Sequence, residues 1–253
     1  MYKTPLLSLL LILSFASNAQ DEKLFRTLDR KTVMNRLFDG VTFNNLNEAL
    51  WKPNYSERMN LPVSDDKVCH TVMDTVIYYS SDRAVILFAT YAYDQGERML
   101  CHACAPAIGL ATFIKTGSNW ELEQFQKCFL RNFGSYGSTG QFAVQKLGEK
   151  FYCLRLDSGI DGNQGYFSGA NTYYSLTDYD QFKEVFYYVY SDSNEGAMDE
   201  GKGYTDETSI SLIQGKPYYS IELTTKRNNT SITGKKKYVF SEDKREFQIV
   251  PQK

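Results

Sequence analysis

The stretch from Cys101 to Pro106 brings together the most reactive side chains in the sequence. It contains two of the five cysteines and one of the two histidines of the chain. Thiolate and imidazole groups bind metals such as zinc, and two cysteines separated by two residues can form a disulfide or exchange thiols with a substrate. The residues therefore leave three kinds of chemistry open: a structural disulfide, a metal site and a redox pair.

A structural disulfide is the interpretation that the cysteine content favours. The chain has five cysteines, an odd number, so at least one is free, bound to a metal or paired between chains. Cys101 with Cys104 is one candidate bridge, and Cys69 with either of them is another. Cys128 and Cys153 could bridge if the strands that carry them are neighbours. An oxidising compartment outside the cytosol would favour such bonds.

A zinc or copper site is the first alternative. The chain contains two Cys-His pairs, Cys69-His70 and Cys101-His102, and Cys104 supplies a fifth possible ligand. A hairpin between the two segments could bring these side chains together, and thiolate with imidazole suits either metal. A second Cys-x-x-Cys pair, which many structural zinc sites use, is missing from the sequence.

A thiol-disulfide redox role for Cys101 and Cys104 is the second alternative. A protonated His102 between the two sulfur atoms would lower the thiol pKa, and Pro106 could begin a helix. However, the sequence after Pro106 is rich in β-branched and aromatic residues, and it lacks the strand-helix alternation of thioredoxin-like folds. The redox role is therefore kept as an alternative to the structural bridge.

Other catalytic and cofactor motifs are missing from the sequence. Attachment of a c-type haem requires a histidine after the second cysteine, where this chain has Ala105. Neither His70 nor His102 lies in a recognisable nucleophile motif, and the sequence has no phosphate loop, dinucleotide fingerprint or metalloprotease motif. The acidic segment 191–207 does not fit a calcium loop, because Gly203 stands where a bidentate glutamate belongs. We therefore predict no catalytic residue.

The first twenty residues are typical of a secretory signal peptide. Lys3 supplies the positive charge, residues 6–16 form an apolar run, and residues 17–19 are small enough for cleavage after position 19 or 20. The run is too short for a membrane-spanning helix, which needs about 20 apolar residues. We expect an exported protein, periplasmic or extracellular, that is not inserted in the membrane after cleavage.

Charge and tyrosine content indicate the kind of partner. The formal net charge is −2, which gives no electrostatic reason to expect nucleic acid or an anionic membrane. Neighbouring side chains of a strand point to opposite faces, so each tyrosine doublet places one ring outward, where it could bind a protein or a glycan. The doublets are Tyr78-Tyr79, Tyr173-Tyr174, Tyr187-Tyr188 and Tyr218-Tyr219. The leading functional hypothesis is a non-enzymatic binding or structural protein.

The elements that must position these residues are mostly strands. We predict one mainly β domain over residues 21–253, with a helical segment at 21–53 and a β core at 67–253. A first helix carries Val33 and Met34 on its apolar face, and a second begins at Asn45 with Glu48 as its capping partner. The predicted fold is an antiparallel meander that closes into a barrel or a sandwich, with these short helices packed on it.

The β core is predicted as a series of hairpins. Five pairs of apolar, β-branched or aromatic runs are separated by short turn sequences. These pairs occupy residues 108–126, 142–156, 173–190, 210–225 and 238–250. The polar, glycine-containing segments between them, such as 157–169, are predicted as linkers. The regular spacing suggests internal repeats, but the hairpins share no motif residue by residue.

Overall fold

The structure is a computed structural model. It describes residues 23–38, 41–53, 68–101, 104–131, 133–135, 137–177, 182–199, 201–228 and 231–251. The predicted signal peptide and His102 lie outside these ranges. The described chain is mainly antiparallel β-sheet with one α-helix and one 3-10 turn, which confirms the predicted fold class. Within these ranges, no helix has the length and apolar character needed to cross a membrane.

The chain divides into two compact units at a position that its composition does not mark. Unit 1 comprises residues 1–132 and unit 2 comprises residues 133–253. Each unit has a β-sheet and a hydrophobic core of its own. The sequence-based assignment of residues 21–253 to one domain stays a prediction.

Unit 1 is built on a seven-stranded antiparallel sheet in the order β1-β9-β8-β5-β4-β3-β2, and a separate hairpin joins β6 to β7. Its elements are β1 (Leu24–Phe25), α1 (Arg30–Leu37), β2 (Thr42–Phe43), β3 (Ala49–Trp51), β4 (Cys69–Tyr78), β5 (Arg83–Tyr91), β6 (Tyr93–Asp94), β7 (Glu97–Arg98), β8 (Ala107–Thr116) and β9 (Asn119–Leu130). The non-sequential neighbours β5-β8 and β1-β9 make this sheet depend on pairings between distant parts of the chain.

The centre of this sheet is buried on both faces, which explains the continuous apolar run in β5. All six residues from Ala84 to Ala89 have an exposed fraction of 0%. The predicted first helix is confirmed as α1, and its Val33 and Met34 pack into the same core as Ile86. Such burial of apolar side chains stabilises the fold.

The second predicted helix is wrong, because residues 42–51 form a β-hairpin. Asn44, rather than Asn45, organises the turn: its side-chain oxygen accepts hydrogen bonds from the backbone N–H groups of Leu46 and Glu48 at 2.9 and 3.0 Å. Strand β3 follows directly and pairs with β2 and β4. A side chain that bonds the backbone locally suits a turn as well as a helix cap, so the pattern was ambiguous.

Unit 2 contains an eight-stranded antiparallel meander in which the strands from β12 to β19 follow each other in chain order. A small hairpin of β10 (Gly134–Ser135) and β11 (Ser138–Thr139) precedes it. The meander consists of β12 (Gln141–Lys146), β13 (Tyr152–Asn163), β14 (Tyr166–Ser175), β15 (Glu184–Ser193), β16 (Thr205–Ile213), β17 (Ser220–Arg227), β18 (Ser231–Ser241) and β19 (Glu246–Ile249). The 3-10 turn, Glu195–Ala197, lies between β15 and β16.

All five predicted hairpins are confirmed, and most of their strands are longer than the sequence suggested. They are formed by β8-β9, β12-β13, β14-β15, β16-β17 and β18-β19. The predicted linker 157–169 is wrong, because β13 and β14 continue through it to the pair Asn163 and Tyr166. Gln164 and Gly165 close this hairpin with φ angles of 53° and 84°, the left-handed backbone that a tight hairpin turn requires.

Candidate functional site

Cys101 and Cys104 form a disulfide, which is one of the candidate bridges that the sequence left open. Their Cα atoms lie 4.8 Å apart in the connection between β7 and β8. The backbone N–H of Cys104 donates to the carbonyl of Cys101 at 2.9 Å. Cys101 is exposed and Cys104 is half-buried.

The other three cysteines are not in disulfides. Cys69 and Cys153 are buried and Cys128 is half-buried. The alternative bridges from Cys69, and the bridge between Cys128 and Cys153, are therefore not formed. Burial raises the pKa of the Cys153 thiol well above its usual value, so this side chain is an unreactive apolar group at neutral pH.

The structure shows the surroundings of two of the predicted metal ligands, Cys69 and His70, in unit 1. Cys69 and His70 are neighbours in β4, and a strand directs neighbouring side chains to opposite faces. The Nδ1 atom of His70 lies 3.2 Å from a carboxylate oxygen of Glu48. In the part of the chain that the structure describes, no group of three or more His, Cys, Asp or Glu side chains could hold a metal ion. With His102 outside the described residues, the zinc or copper site stays a prediction.

The His70 contact belongs to a buried polar network that the sequence did not indicate. Glu48 has an exposed fraction of 0%. Its Oε1 atom accepts hydrogen bonds from the Tyr93 hydroxyl at 2.6 Å and from the Arg98 guanidinium at 2.8 Å. Its Oε2 atom accepts a bond of 2.8 Å from the Asn44 amide and faces His70. Each carboxylate oxygen therefore has two partners, as a buried charge requires.

These partners keep Glu48 ionised. Burial raises the pKa of its carboxyl, but the bonds from Arg98, Tyr93 and Asn44 outweigh that effect and hold the pKa below its usual value. The donors are themselves fixed by ring contacts. The His70 and Tyr93 rings stack at 4.1 Å, and the Arg98 guanidinium lies 3.7 Å above the Tyr91 ring. A carboxylate that is charged, fully hydrogen-bonded and inaccessible is better suited to holding neighbouring elements together than to acid-base catalysis.

Unit 2 offers an accessible site where two neighbouring strands separate. β15 and β16 pair at three positions only, Ser191 with Glu207, Asp192 with Asp206 and Ser193 with Thr205. By contrast, β16 pairs with β17 from Asp206 to Ile213, over all but the first of its residues. The separation opens a cleft of about 480 Å³ beside β15. This volume lies within the range of about 300–1,000 Å³ that is typical of ligand pockets.

The cleft is lined by residues from β14 to β18. They combine aromatic rings, hydroxyl groups, short apolar side chains and charges: Ser168, Tyr187, Tyr188, Val189, Asp192, Asp206, Thr208, Leu223, Thr225, Lys236 and Tyr238. Tyr187 is 52% exposed and its neighbour Tyr188 is 7% exposed. The predicted outward tyrosine is thus confirmed for this doublet, and the cleft reaches both faces of β15.

No protein-family model, curated protein or solved structure matches this chain. The physical properties of the cleft and of the Glu48 network are therefore the basis for assigning a function. Sequence analysis missed both sites. The Tyr187-Tyr188 doublet was the only signal that pointed to the cleft, and Glu48 was interpreted as a helix-capping residue.

The charges in the cleft are distributed unevenly. At the end where β15 and β16 pair, Arg227 donates two hydrogen bonds to Asp206, at 2.9 and 2.8 Å, and these bonds lower the pKa of that carboxyl. Asp192 accepts a bond of 3.0 Å from the Tyr204 hydroxyl. Lys236 lies on β18, two strands away from Asp206. It is exposed and forms no ion pair with any of the described residues. It is therefore the cation available to a ligand.

Proposed function

We propose that this protein is an exported, non-enzymatic binding protein that holds its ligand in the cleft of unit 2. The observation that carries the proposal is the separation of β15 from β16 on the N-terminal side of Ser191, which opens the cleft to solution. Its lining supplies the two kinds of contact that recognition sites use, namely aromatic surface and a few polar groups. The signal-like first twenty residues support export.

The side chains that line the cleft indicate the ligand class. An exposed tyrosine ring offers apolar area and a hydroxyl, and both a protein segment and a glycan can use this combination. Tyr187 supplies the ring, and Thr208 and Thr225 supply hydroxyl groups. These two hydroxyls lie 2.9 Å apart and form one hydrogen bond with each other, so the remaining hydrogen-bonding capacity of each is available to a ligand.

A fragment screen tests this proposal while the ligand is still unidentified. The isotope-labelled chain from Asp21 onward is mixed with small aromatic, sugar and peptide fragments, and backbone amide signals are followed by two-dimensional NMR. We expect the binding fragments to shift the signals of cleft residues such as Val189 and Thr208. Fragments that bind only in unit 1, or no binding fragments at all, would remove the cleft as the binding site.

A matched pair of tyrosine variants provides the control. Tyr187→Ala removes an exposed ring from the cleft, whereas Tyr166→Ala removes a ring that is 58% exposed and does not line it. We expect Tyr187→Ala to weaken fragment binding by about fivefold, since a lost ring contact is worth about 1 kcal/mol. Tyr166→Ala should leave binding unchanged, and equal effects of the two variants would count against the proposal.

Thiol-disulfide exchange is a second candidate function, favoured by the exposure of Cys101 within the bond to Cys104. A substrate dithiol would be oxidised to a disulfide while Cys101 and Cys104 take up its two electrons and two protons as thiols. Incubation with dithiothreitol under native conditions, followed by alkylation and mass analysis, measures this reaction. Opening of the bond at low dithiothreitol favours exchange, and resistance to it favours a structural bridge.

A further inference from the structure

We infer that the cleft of unit 2 binds an extended polypeptide segment, which adds as a strand to the open edge of β15 and presents an acidic side chain to Lys236. This inference rests on the proposed function, because it names the ligand class of the same cleft. Two independent features carry it. One is the unpaired backbone edge of β15, and the other is the charge of Lys236, which has no counterion among the described residues.

The backbone of β15 is paired on one side only along most of its length. On the β14 side its ladder runs from Glu184 to Ser193, with two irregularities. On the cleft side, the only pairs within the described residues are those of Ser191, Asp192 and Ser193 with β16. Because strand residues direct their N–H and C=O groups alternately to the two edges, the cleft-lining segment 187–189 includes at least one residue that offers both groups to the cleft.

An open strand edge selects an extended chain over other ligands. Backbone N–H and C=O groups require partners, and another polypeptide supplies them at the matching repeat. β16 also lacks a partner on its cleft side from Thr208 to Ile213 in the described residues. A chain that enters the cleft therefore meets an unpaired edge on either side. A glycan has no such repeat of donors and acceptors, which is why we favour a polypeptide.

The side chains around β15 suit the alternation of a bound strand. Tyr187 and Tyr188 point to opposite faces of β15, and both line the cleft. An added strand would therefore place alternate side chains against each ring. Lys236 lies on the same face of β18 as Tyr238, whose ring packs 5.1 Å from Phe186 in the core of unit 2. The lysine thus belongs to the inner face of β18.

Charge complementarity defines the chemistry of the ligand. Arg227 neutralises Asp206 at the closed end, and it also interacts electrostatically with Asp192. Lys236 has no such counterion in the part of the chain that the structure describes. A carboxylate on the bound strand would supply it, so aspartate or glutamate is expected at one position of the ligand, between β-branched or aromatic residues that favour the extended backbone.

Selection from a phage-displayed library of randomised linear peptides tests the inference on the chain from Asp21 onward. Enriched peptides are expected to carry an acidic residue in a strand-like sequence. Synthetic copies with N-methyl groups on alternate backbone amides should lose binding, because the methyl group removes the donor that pairs with β15. Binding that tolerates N-methylation at every position would overturn the inference.

Two charge-reversal variants on the same strand provide the matched control. Lys236→Glu should weaken the acidic peptides by about tenfold, and a new selection on this variant should enrich basic peptides instead. Lys235→Glu makes the same change in net charge on the opposite face of β18, across from Thr224, and should bind like the parent protein. An equal loss in both variants would show a general effect of charge and would overturn the inference.

The outcomes separate this inference from the proposed function. If NMR fragments bind in the cleft while no peptide is enriched over a library selected without the protein, the binding cleft stands and the peptide ligand is wrong. If a glycan fragment binds in the cleft and Tyr187→Ala abolishes that binding, the cleft is again a binding site and the inference of a peptide ligand is wrong. If neither fragments nor peptides bind in the cleft, both proposals fail.

Discussion

The hydroxyl of Tyr93 donates a hydrogen bond of 2.6 Å to Glu48, a residue 45 positions earlier in the chain. Arg98 pairs with Tyr93 across the β6-β7 hairpin and binds the same carboxylate oxygen at 2.8 Å. One small hairpin therefore supplies both partners of that oxygen. The network connects this hairpin to the turn before β3, and its central carboxylate is fully buried from solvent.

Glu48→Gln is expected to destabilise unit 1 by about 3 kcal/mol. The amide keeps the shape but removes the charge, and its NH2 group replaces one of the two acceptor oxygens, so the groups that bonded that oxygen lose a buried acceptor. Unfolding in urea, followed by tryptophan fluorescence, measures the change. Both tryptophans of the chain, Trp51 and Trp120, lie in unit 1, so this signal reports that unit.

Glu123→Gln is the matched control for this prediction. Glu123 pairs with Arg83 at 3.0 Å in the same unit, but both side chains keep some contact with solvent. Its loss should cost about 1 kcal/mol or less. If the two variants lower the free energy of unfolding equally, the Glu48 network has no special structural role.

The same carboxylate should make the stability of unit 1 depend on pH. The folded pKa of Glu48 is lowered, so its contribution is fully present above the unfolded pKa of about 4.3 and is lost as the pH falls through the folded value. We expect the urea midpoint of the parent protein to fall more steeply between about pH 5 and pH 3 than that of Glu48→Gln. Parallel pH profiles would contradict this prediction, and the comparison cancels the contributions of other carboxyls.

Thiol counting checks the cysteine arrangement. Alkylation in denaturant without reductant should modify three cysteines, Cys69, Cys128 and Cys153, and reductant should add Cys101 and Cys104. Under native conditions, the half-buried Cys128 should react before the two buried thiols, because access limits the reaction. Intact mass and peptide mapping give the count and the sites. A single alkylated cysteine in denaturant would reveal a second bridge.

Truncation should destabilise two neighbouring residues of β15 to very different extents. Phe186 is 5% exposed and packs against Tyr238 and Phe247 at 5.1 and 5.7 Å. Phe186→Ala should therefore lower the free energy of unfolding of unit 2 by about 4 kcal/mol. Tyr187→Ala, on the exposed face, should cost about 1 kcal/mol or less. Unfolding followed by circular dichroism measures both, and similar losses would mean that the two faces of β15 are not as different as the structure indicates.

The sequence predicted the hairpins because their signals are local. Alternating apolar residues and turn sequences lie within a few positions of each other, as in the hairpin of residues 210–225. Prediction failed where a local pattern has two meanings. The turn at Asn44 resembled a helix cap, and the polar segment 157–169 resembled a linker although its backbone pairs across Gln164 and Gly165.

The candidate sites were missed for a different reason. Glu48 gains its partners from Tyr93 and Arg98, which lie 45 and 50 positions away, and no local pattern records such contacts. The cleft depends on where β15 stops pairing with β16. The sequence of a strand indicates that it is a strand, but it does not state how far its pairing with a neighbour extends.

The strand order of the two units has a consequence for the sequence of events during synthesis. In unit 1 the first strand pairs with the last, Leu24 with Glu121, so its sheet cannot close until nearly the whole unit has left the ribosome. In unit 2 each strand of the meander pairs with the strand made just before it. Loop-closure entropy is small for such neighbours. The sheet of unit 1 is therefore completed only late in synthesis, whereas the sheet of unit 2 can grow strand by strand as the chain emerges.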